Sequence, residues 1–178
     1  MIPSSIHIDT VLQGLNTRFA RYADAIGTNN TILNLVSKLS CVEFFGWLEC
    51  SLDEIYIEIA DKITDVSSKN IALKRIEDLN SFRRDRFESM LGILGIVFLE
   101  QEYNKLSSIE KGYFDLFRQR LSEFPDIRNH HAHNHIIEPY KKKTVNIFKP
   151  PSELQKLRVE IDKGFIVLDK MLKSAGII

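Results

Sequence analysis

Apolar residues recur at every third or fourth position along most of this chain, and the alternation typical of β-strands is nearly absent. The first such stripe consists of Ile8, Val11, Leu12, Leu15, Phe19, Tyr22 and Ile26. A second stripe keeps the same period from about residue 31 to 63 without a proline, which predicts one helix about 50 Å long. Gly46, in the middle of that helix, predicts close packing against a neighbour. The pattern therefore predicts a chain of amphipathic helices.

The middle of the chain contains shorter apolar stripes separated by polar residues. Residues 71–79 predict a short amphipathic helix, and a further helix is predicted from Phe82 to about Glu102. Gly92 and Gly95 weaken this second helix, because glycine has a low helix propensity, and they favour a kink or break there.

Two capping boxes and a basic loop follow. Ser107-x-x-Glu110 predicts the start of a helix, because each side chain can bond a backbone N–H that the first helical turn leaves unpaired. Pro125 is predicted to end this helix or to begin the next, a short polar helix over 126 to about 138. A basic loop follows over 140–151, and Ser152-x-x-Gln155 predicts the start of the last helix.

These elements predict an all-α fold, an antiparallel bundle of five or six helices. The chain has 178 residues, a common size for a single domain, so we expect one domain over residues 1–178. The basic loop over 140–151 lies immediately before the last helix.

Charge and cysteine content narrow the classes of function. The 24 basic and 24 acidic residues give no overall bias towards nucleic acid or membrane, so any anion site must arise from local clustering. No stretch reaches about 18 consecutive apolar residues, so no membrane span is expected. Cys41 and Cys50 lie about 13 Å apart on one helix, beyond disulfide reach, which predicts small core residues in a reducing compartment. The first five residues lack the form of a signal peptide, and we expect a cytoplasmic protein.

Four of the five histidines cluster at positions 130, 131, 133 and 135. The surrounding segment is polar and shows no apolar stripe, so core packing does not explain them. The cluster follows Arg128-Asn129 and precedes Lys141-Lys142-Lys143. Guanidinium binds phosphate oxygens in a bidentate fork, and imidazole can transfer protons near neutral pH. The combination therefore predicts a phosphate-containing ligand.

The run Arg128-Asn129-His130-His131-Ala132-His133 resembles the signature of the HEPN superfamily of helical domains, many of which are RNA-cutting toxins or defence proteins. Its frequent form is Arg-Asn-x-x-Ala-His, placed late in a helical bundle before a final helix, and the run occupies that place here. Residues 47–54 also look similar to the long second helix of these proteins. The resemblance implies a HEPN-like fold. His135 satisfies the looser Arg-to-His spacing as well, but the frame with Asn and Ala selects His133. His135 stands where the family's adenylylated members have a tyrosine, which puts that form of regulation in doubt.

The resemblance implies a metal-independent endoribonuclease of toxin or defence type, without a cofactor, whose active site forms across a homodimer. His133 would act as general base or acid, Arg128 would stabilise charge on the phosphate oxygens, and Asn129 would orient the histidine or hold an oxygen. The implied product is a 2′,3′-cyclic phosphate. His130 and the lysines 141, 142 and 143 are candidate RNA-binding residues. The resemblance also allows for a cognate antitoxin or inhibitor protein as a partner.

Three alternatives stay open at the level of the sequence. Arg128 can pair with Asp126 or Glu123, so that the histidines form only a solvated face. His131, His135 and Glu138 share one helical face and can bind a metal ion, although three ligands on one helix give a strained site. The main rival is a catalytically silent HEPN module that binds a partner protein or a nucleotide.

Overall fold

A computed structural model describes residues 6–24, 30–78, 82–92, 96–133 and 149–178. This part of the chain contains seven helices and no strand, so the predicted all-α fold is confirmed for it. The helices are α1 (Ile6–Asp24), α2 (Asn30–Asp61), α3 (Val66–Asp78), α4 (Arg84–Leu91), α5 (Ile96–Lys105), α6 (Ser108–His133) and α7 (Pro151–Ser174).

The predicted count of five or six helices is too low for the described residues, which contain seven, and one predicted boundary differs at a glycine. The segment expected to form one helix from Phe82 to Glu102 contains α4 and α5 instead. Gly92 is the C-cap of α4, and its N–H donates to the carbonyl oxygen of Glu88. The low helix propensity of glycine, recognised as a source of a kink or break, favours the end of α4 at this residue.

Pro125 neither ends α6 nor begins a new helix, which corrects the second expected boundary. A proline inside a helix removes one backbone hydrogen bond and costs about 3 kcal/mol. Leu121 and Phe124 immediately before it, and His131 after it, are all buried on α6. Burial on both sides of the proline offsets this cost and keeps the helix continuous.

The start of α6 agrees with the prediction. The Ser107 N–H donates to Glu110 Oε2 over 2.9 Å, and the Glu110 N–H donates to Ser107 Oγ over 3.3 Å. The second predicted capping box is misplaced, because α7 already begins at Pro151 and Ser152 lies within its first turn. Proline is well suited to the first position of a helix, since its missing N–H would have no helical partner there.

The described residues fall into two compact units. Unit 1 comprises Leu48–Pro125 and Glu160–Ile178, and unit 2 comprises Ser5–Trp47 and Asp126–Val159. The boundary therefore passes through α2, α6 and α7. The prediction of a single domain over 1–178 stays a prediction.

Aromatic rings dominate the core of unit 1. Phe117 of α6 lies 5.2 Å from Phe87 of α4 and 5.2 Å from Phe165 of α7, measured between ring centroids. Phe82 and Phe124 form a further edge-to-face pair at 6.4 Å. All five side chains are buried, so the middle of α6 packs against α4 and α7 through these rings.

Unit 2 buries side chains from α1, the first half of α2, the end of α6 and the start of α7. Its buried residues include Ile8, Leu12, Leu15, Val36, Cys41, Phe44, Phe45, His131, Leu154 and Leu157. Arg158 of α7 and Asp9 of α1 form an ion pair at 2.7 Å. The unit thus has a core of its own, and it contains the candidate motif on α6.

Two further predictions can be compared with the helices. Cys41 and Cys50 are both free thiols on α2, as predicted, but Cys50 is exposed and only Cys41 is a core residue. None of the described helices combines the length and the apolar character needed to cross a bilayer.

Candidate functional site

The candidate motif lies at the end of α6 as described. Arg128 and Asn129 are both exposed, whereas His131 retains only 3% of its accessible surface. Successive residues of a helix are rotated by about 100°, so position 131 defines which side of α6 faces the core of unit 2. Among the described side chains of the motif, His131 therefore faces inward and Arg128 and Asn129 face outward.

Positions 129 and 133 lie on the opposite side of α6 from His131. Each is two residues from 131, which places it about 160° around the helix axis from the buried side chain. The two positions are about 40° apart and separated by one turn, so they share one outward face. This register agrees with the exposure of Asn129. The backbone of His133 belongs to α6, and its side chain, like that of His130, lies outside the described part of the chain.

Arg128 lies on the flank of the helix rather than on the face shared by 129 and 133. It is about 60° from the buried His131 and about 140° from position 133. An exposed guanidinium on this flank can bind a phosphate beside the helix. Position 129 lies one helical turn before position 133 on the same face, whereas position 128 lies on a different face. The three predicted catalytic positions thus occupy one end of α6 but two of its sides.

Glu123, one of the two acidic residues considered as a partner for Arg128, already accepts hydrogen bonds from two other side chains. Glu123 Oε1 accepts from Gln119 and its Oε2 accepts from Arg120, both over 2.8 Å. Each carboxylate oxygen can accept a second donor, so an ion pair between Arg128 and Glu123 stays open.

Several predicted residues fall outside the described ranges. Lys141, Lys142 and Lys143 do so, and so do His135 and Glu138 of the alternative metal site. Within the described residues no group of three histidine, cysteine, aspartate or glutamate side chains is arranged to hold a metal ion. Of the predicted basic loop, Lys149 is described, and its ammonium group lies 3.1 Å from Glu153 in the first turn of α7.

The burial of His131 is the feature that sequence reasoning missed. The buried residues of α6 follow a regular spacing through Phe114, Phe117, Leu121 and Phe124. Seven residues, or two helical turns, separate Phe124 from His131. The apolar stripe thus predicts an inward-facing side chain at position 131 once α6 is known to continue through Pro125. The polar composition of 126–133 concealed this continuation.

Comparison with other proteins adds no relative: no family model, no curated protein and no solved structure matches the chain. Membership of the HEPN superfamily stays a prediction that rests on residues 128–133 and on the helical architecture.

Proposed function

We propose that this protein is a HEPN-type endoribonuclease of the toxin or defence class, which cleaves RNA without a metal ion at a site formed by two copies of the chain. The observation that carries the proposal is the arrangement at the end of α6. Arg128 and Asn129 are exposed, position 133 shares the outward face of Asn129, and the intervening His131 is buried. The buried histidine fixes the rotation of the helix, and with that rotation Arg128 and Asn129 are exposed to solvent.

The residue types suit cleavage by the neighbouring ribose hydroxyl. The imidazole of His133 from one copy accepts the proton of the 2′-hydroxyl while the 2′-oxygen forms a bond to phosphorus. The bond from phosphorus to the 5′-oxygen breaks, and the protonated His133 of the second copy donates a proton to that oxygen. The products are a 2′,3′-cyclic phosphate and a 5′-hydroxyl, and no co-reactant is needed.

Arg128 and Asn129 support this step. The guanidinium stabilises the charge that builds up on the two non-bridging oxygens, and Asn129 orients His133 or holds one of those oxygens. Within one copy, the 140° separation of Arg128 from position 133 makes a single motif a poor active site. Two motifs that face each other across a two-fold axis place a guanidinium and an imidazole on both sides of one phosphodiester.

Cleavage of a labelled single-stranded RNA tests the proposal directly. We expect His133→Ala and Arg128→Ala each to lower the cleavage rate by about 100-fold or more, the scale of one lost acid–base or charge-stabilising group. His7→Ala and Arg86→Ala are matched controls, because both residues are exposed and lie outside α6. They are expected to retain the full rate. An RNA with a single 2′-deoxyribose at the cleavage position should resist, because it lacks the nucleophile.

Three results would contradict this function. One is efficient cleavage of the deoxy-substituted RNA, and another is a rate that chelators abolish. The third is that expression of the wild-type chain impairs growth and expression of His133→Ala impairs it equally, as expected for a catalytically silent module. An enzyme of this class instead loses both RNA degradation and growth inhibition in the His133 and Arg128 variants.

The two-copy site has its own test, in which two inactive variants are mixed. Arg128→Ala supplies an intact His133, and His133→Ala supplies an intact Arg128. A mixed dimer then has one guanidinium and one imidazole in the composite cleft. The single imidazole accepts the 2′-hydroxyl proton while water protonates the leaving oxygen, so cleavage after subunit exchange is expected to rise above that of either variant and to stay well below wild type. If each chain formed a complete site by itself, the mixture would stay as inactive as its components.

A further inference from the structure

A cavity of about 410 Å³ opens within unit 1 among α4, α5, α6 and α7. Its apolar walls are formed by Phe87, Leu91, Leu99, Tyr103, Phe114 and Met171. Four of these six side chains are buried, so the cavity reaches into the core of the unit. Protein interiors are otherwise close-packed, and this volume lies within the range of about 300–1,000 Å³ typical of sites for small molecules.

Three of the described lining residues are charged, and two of these are held in place by hydrogen bonds. Glu88 Oε1 accepts hydrogen bonds from Arg84 Nε over 2.7 Å and from Arg118 Nε over 2.9 Å. Burial acts to raise the pKa of Glu88, but these hydrogen bonds outweigh it and lower the pKa, so the carboxylate stays ionised. The guanidinium of Arg118 is thereby directed at Glu88, and its charge within the cavity is balanced.

Glu100, the third charged lining residue, differs from Glu88 and Arg118 because it takes part in no ion pair among the described residues. Its carboxylate is exposed on α5, and among the described residues it has no hydrogen-bond or ion-pair partner. Glu88 is shared by Arg84 and Arg118, so Glu100 is the lining carboxylate whose charge no described cation balances. A cationic group of a ligand can meet Glu100 without displacing any existing ion pair.

The aromatic side chains favour the same sign of charge. Tyr103 and Phe114 lie 6.2 Å apart and Phe87 and Phe114 6.4 Å apart, so three rings form one side of the cavity. The face of an aromatic ring attracts cations, and the Lys111 ammonium already lies 5.4 Å from the centroid of Tyr103. The Tyr103 hydroxyl donates to Asp115 over 2.8 Å, which fixes the orientation of this ring.

From these observations we infer that the cavity binds a small organic cation, with an aromatic or branched apolar body in the pocket and a protonated amine beside Glu100. The inference is independent of the proposed ribonuclease site. All nine lining residues belong to unit 1, whereas the motif on α6 belongs to unit 2.

Three indoles that differ mainly in the charge of the side chain test the inference. Tryptamine carries an ammonium group, tryptophol a neutral hydroxyl and indole-3-propionate a carboxylate. We expect calorimetry and ligand-observed NMR on the full chain to give the order tryptamine, tryptophol, propionate in decreasing affinity. The preference for tryptamine over tryptophol should be about fivefold, the scale of an exposed ion pair, and should shrink at high salt.

Variants then identify the groups responsible. Glu100→Gln should reduce tryptamine binding to the level of tryptophol, whereas Glu54→Gln, an exposed residue of the same unit that does not line the cavity, should change nothing. Leu99→Trp should fill the cavity and weaken all three ligands, with helix content checked by circular dichroism. The inference is overturned if none of the indoles binds, if the propionate binds best, or if Glu100→Gln leaves the preference for the ammonium unchanged.

Discussion

Gly164 of α7 lies directly against Phe117 of α6, so closely that a β-carbon at position 164 would overlap Cβ and Cγ of the phenylalanine. Phe117 is fully buried and also contacts the rings of Phe87 and Phe165. Its Cβ is attached to the backbone and cannot move aside without a shift of α6. The absence of a side chain at position 164 is therefore what lets the two helices pack at this point in unit 1.

We predict that Gly164→Ala destabilises the protein by about 1–3 kcal/mol, as overpacking of a filled core does. This is opposite in sign to the usual effect of such a substitution, since alanine in place of glycine inside a helix stabilises by about 0.5–1 kcal/mol. Urea unfolding followed by circular dichroism measures the difference.

Gly112→Ala on α6 is the matched control. Apart from the adjacent residues and the backbone of its own helix, no described atom lies within 4 Å of a β-carbon built at Gly112, so the usual stabilisation should appear there. Equal stabilisation by both substitutions would show that the close contact at Gly164 is absent in solution.

A second prediction concerns the start of α6 and its dependence on pH. Hydrogen bonds from Lys170 and from Ser107 lower the pKa of Glu110 from 4.5 to about 2. Because the folded pKa is lowered, this group stabilises the fold above about pH 4.5, and the contribution disappears as the pH falls towards 2. The stability difference between wild type and Glu110→Gln should therefore be largest near neutral pH, decrease below about pH 4.5 and be small at pH 2. Glu54→Gln, which removes an exposed carboxylate of α2 without such hydrogen bonds among the described residues, is the matched control. A constant difference for Glu110→Gln would contradict the hydrogen bonds from Lys170 and Ser107.

The periodic stripes predicted much of the fold because each long helix buries one side. The expected range 31–63 agrees with α2, and the Ser107 capping box agrees with the start of α6. Gly46 and Gly164 show that a local sequence pattern does not reveal which glycine a second helix packs against. Gly46 was expected to mark close packing, yet no described atom beyond its own helix backbone and adjacent residues lies within 4 Å of its built β-carbon, whereas Gly164 makes that contact. Both are glycines within helices, and only the position of a second helix distinguishes them.

For the candidate site, sequence reasoning located the motif but assigned all its histidines to a polar segment. The continuation of α6 through Pro125 and the burial of His131 depend on packing around residues far apart in the chain. Intrinsic helix propensity opposes a proline at this position, and tertiary burial outweighs it. The side chains of His130 and His133, and the lysines 141–143, lie outside the described residues, so their predicted roles stay predictions.

A third prediction separates the two thiols of α2. Cys41 is 1% exposed, and burial raises its pKa to about 12, against a smaller opposing effect of Lys149. The thiolate is the reactive form, so Cys41 should resist a maleimide at pH 7.5 while the exposed Cys50 reacts. Peptide mass spectrometry should find the label on Cys50 alone in the native protein and on both residues in urea. Native labelling of Cys41 at a rate similar to that of Cys50 would contradict the burial of this part of α2.

The last prediction uses the opposite orientations of Asn129 and His131 on α6 to separate catalysis from folding. Asn129 is exposed, so Asn129→Ala should leave the free energy of unfolding within about 0.5 kcal/mol of wild type while it lowers the rate of RNA cleavage. His131 is buried, so His131→Ala should destabilise by about 2 kcal/mol through the cavity it leaves, with cleavage by the folded fraction largely retained. Unfolding curves and single-turnover cleavage rates, measured on the same preparations, give both quantities. The reverse outcome, a stable but inactive His131 variant beside an active Asn129 variant, would mean that the buried side of α6 carries the chemistry and that the proposed outward-facing site is wrong.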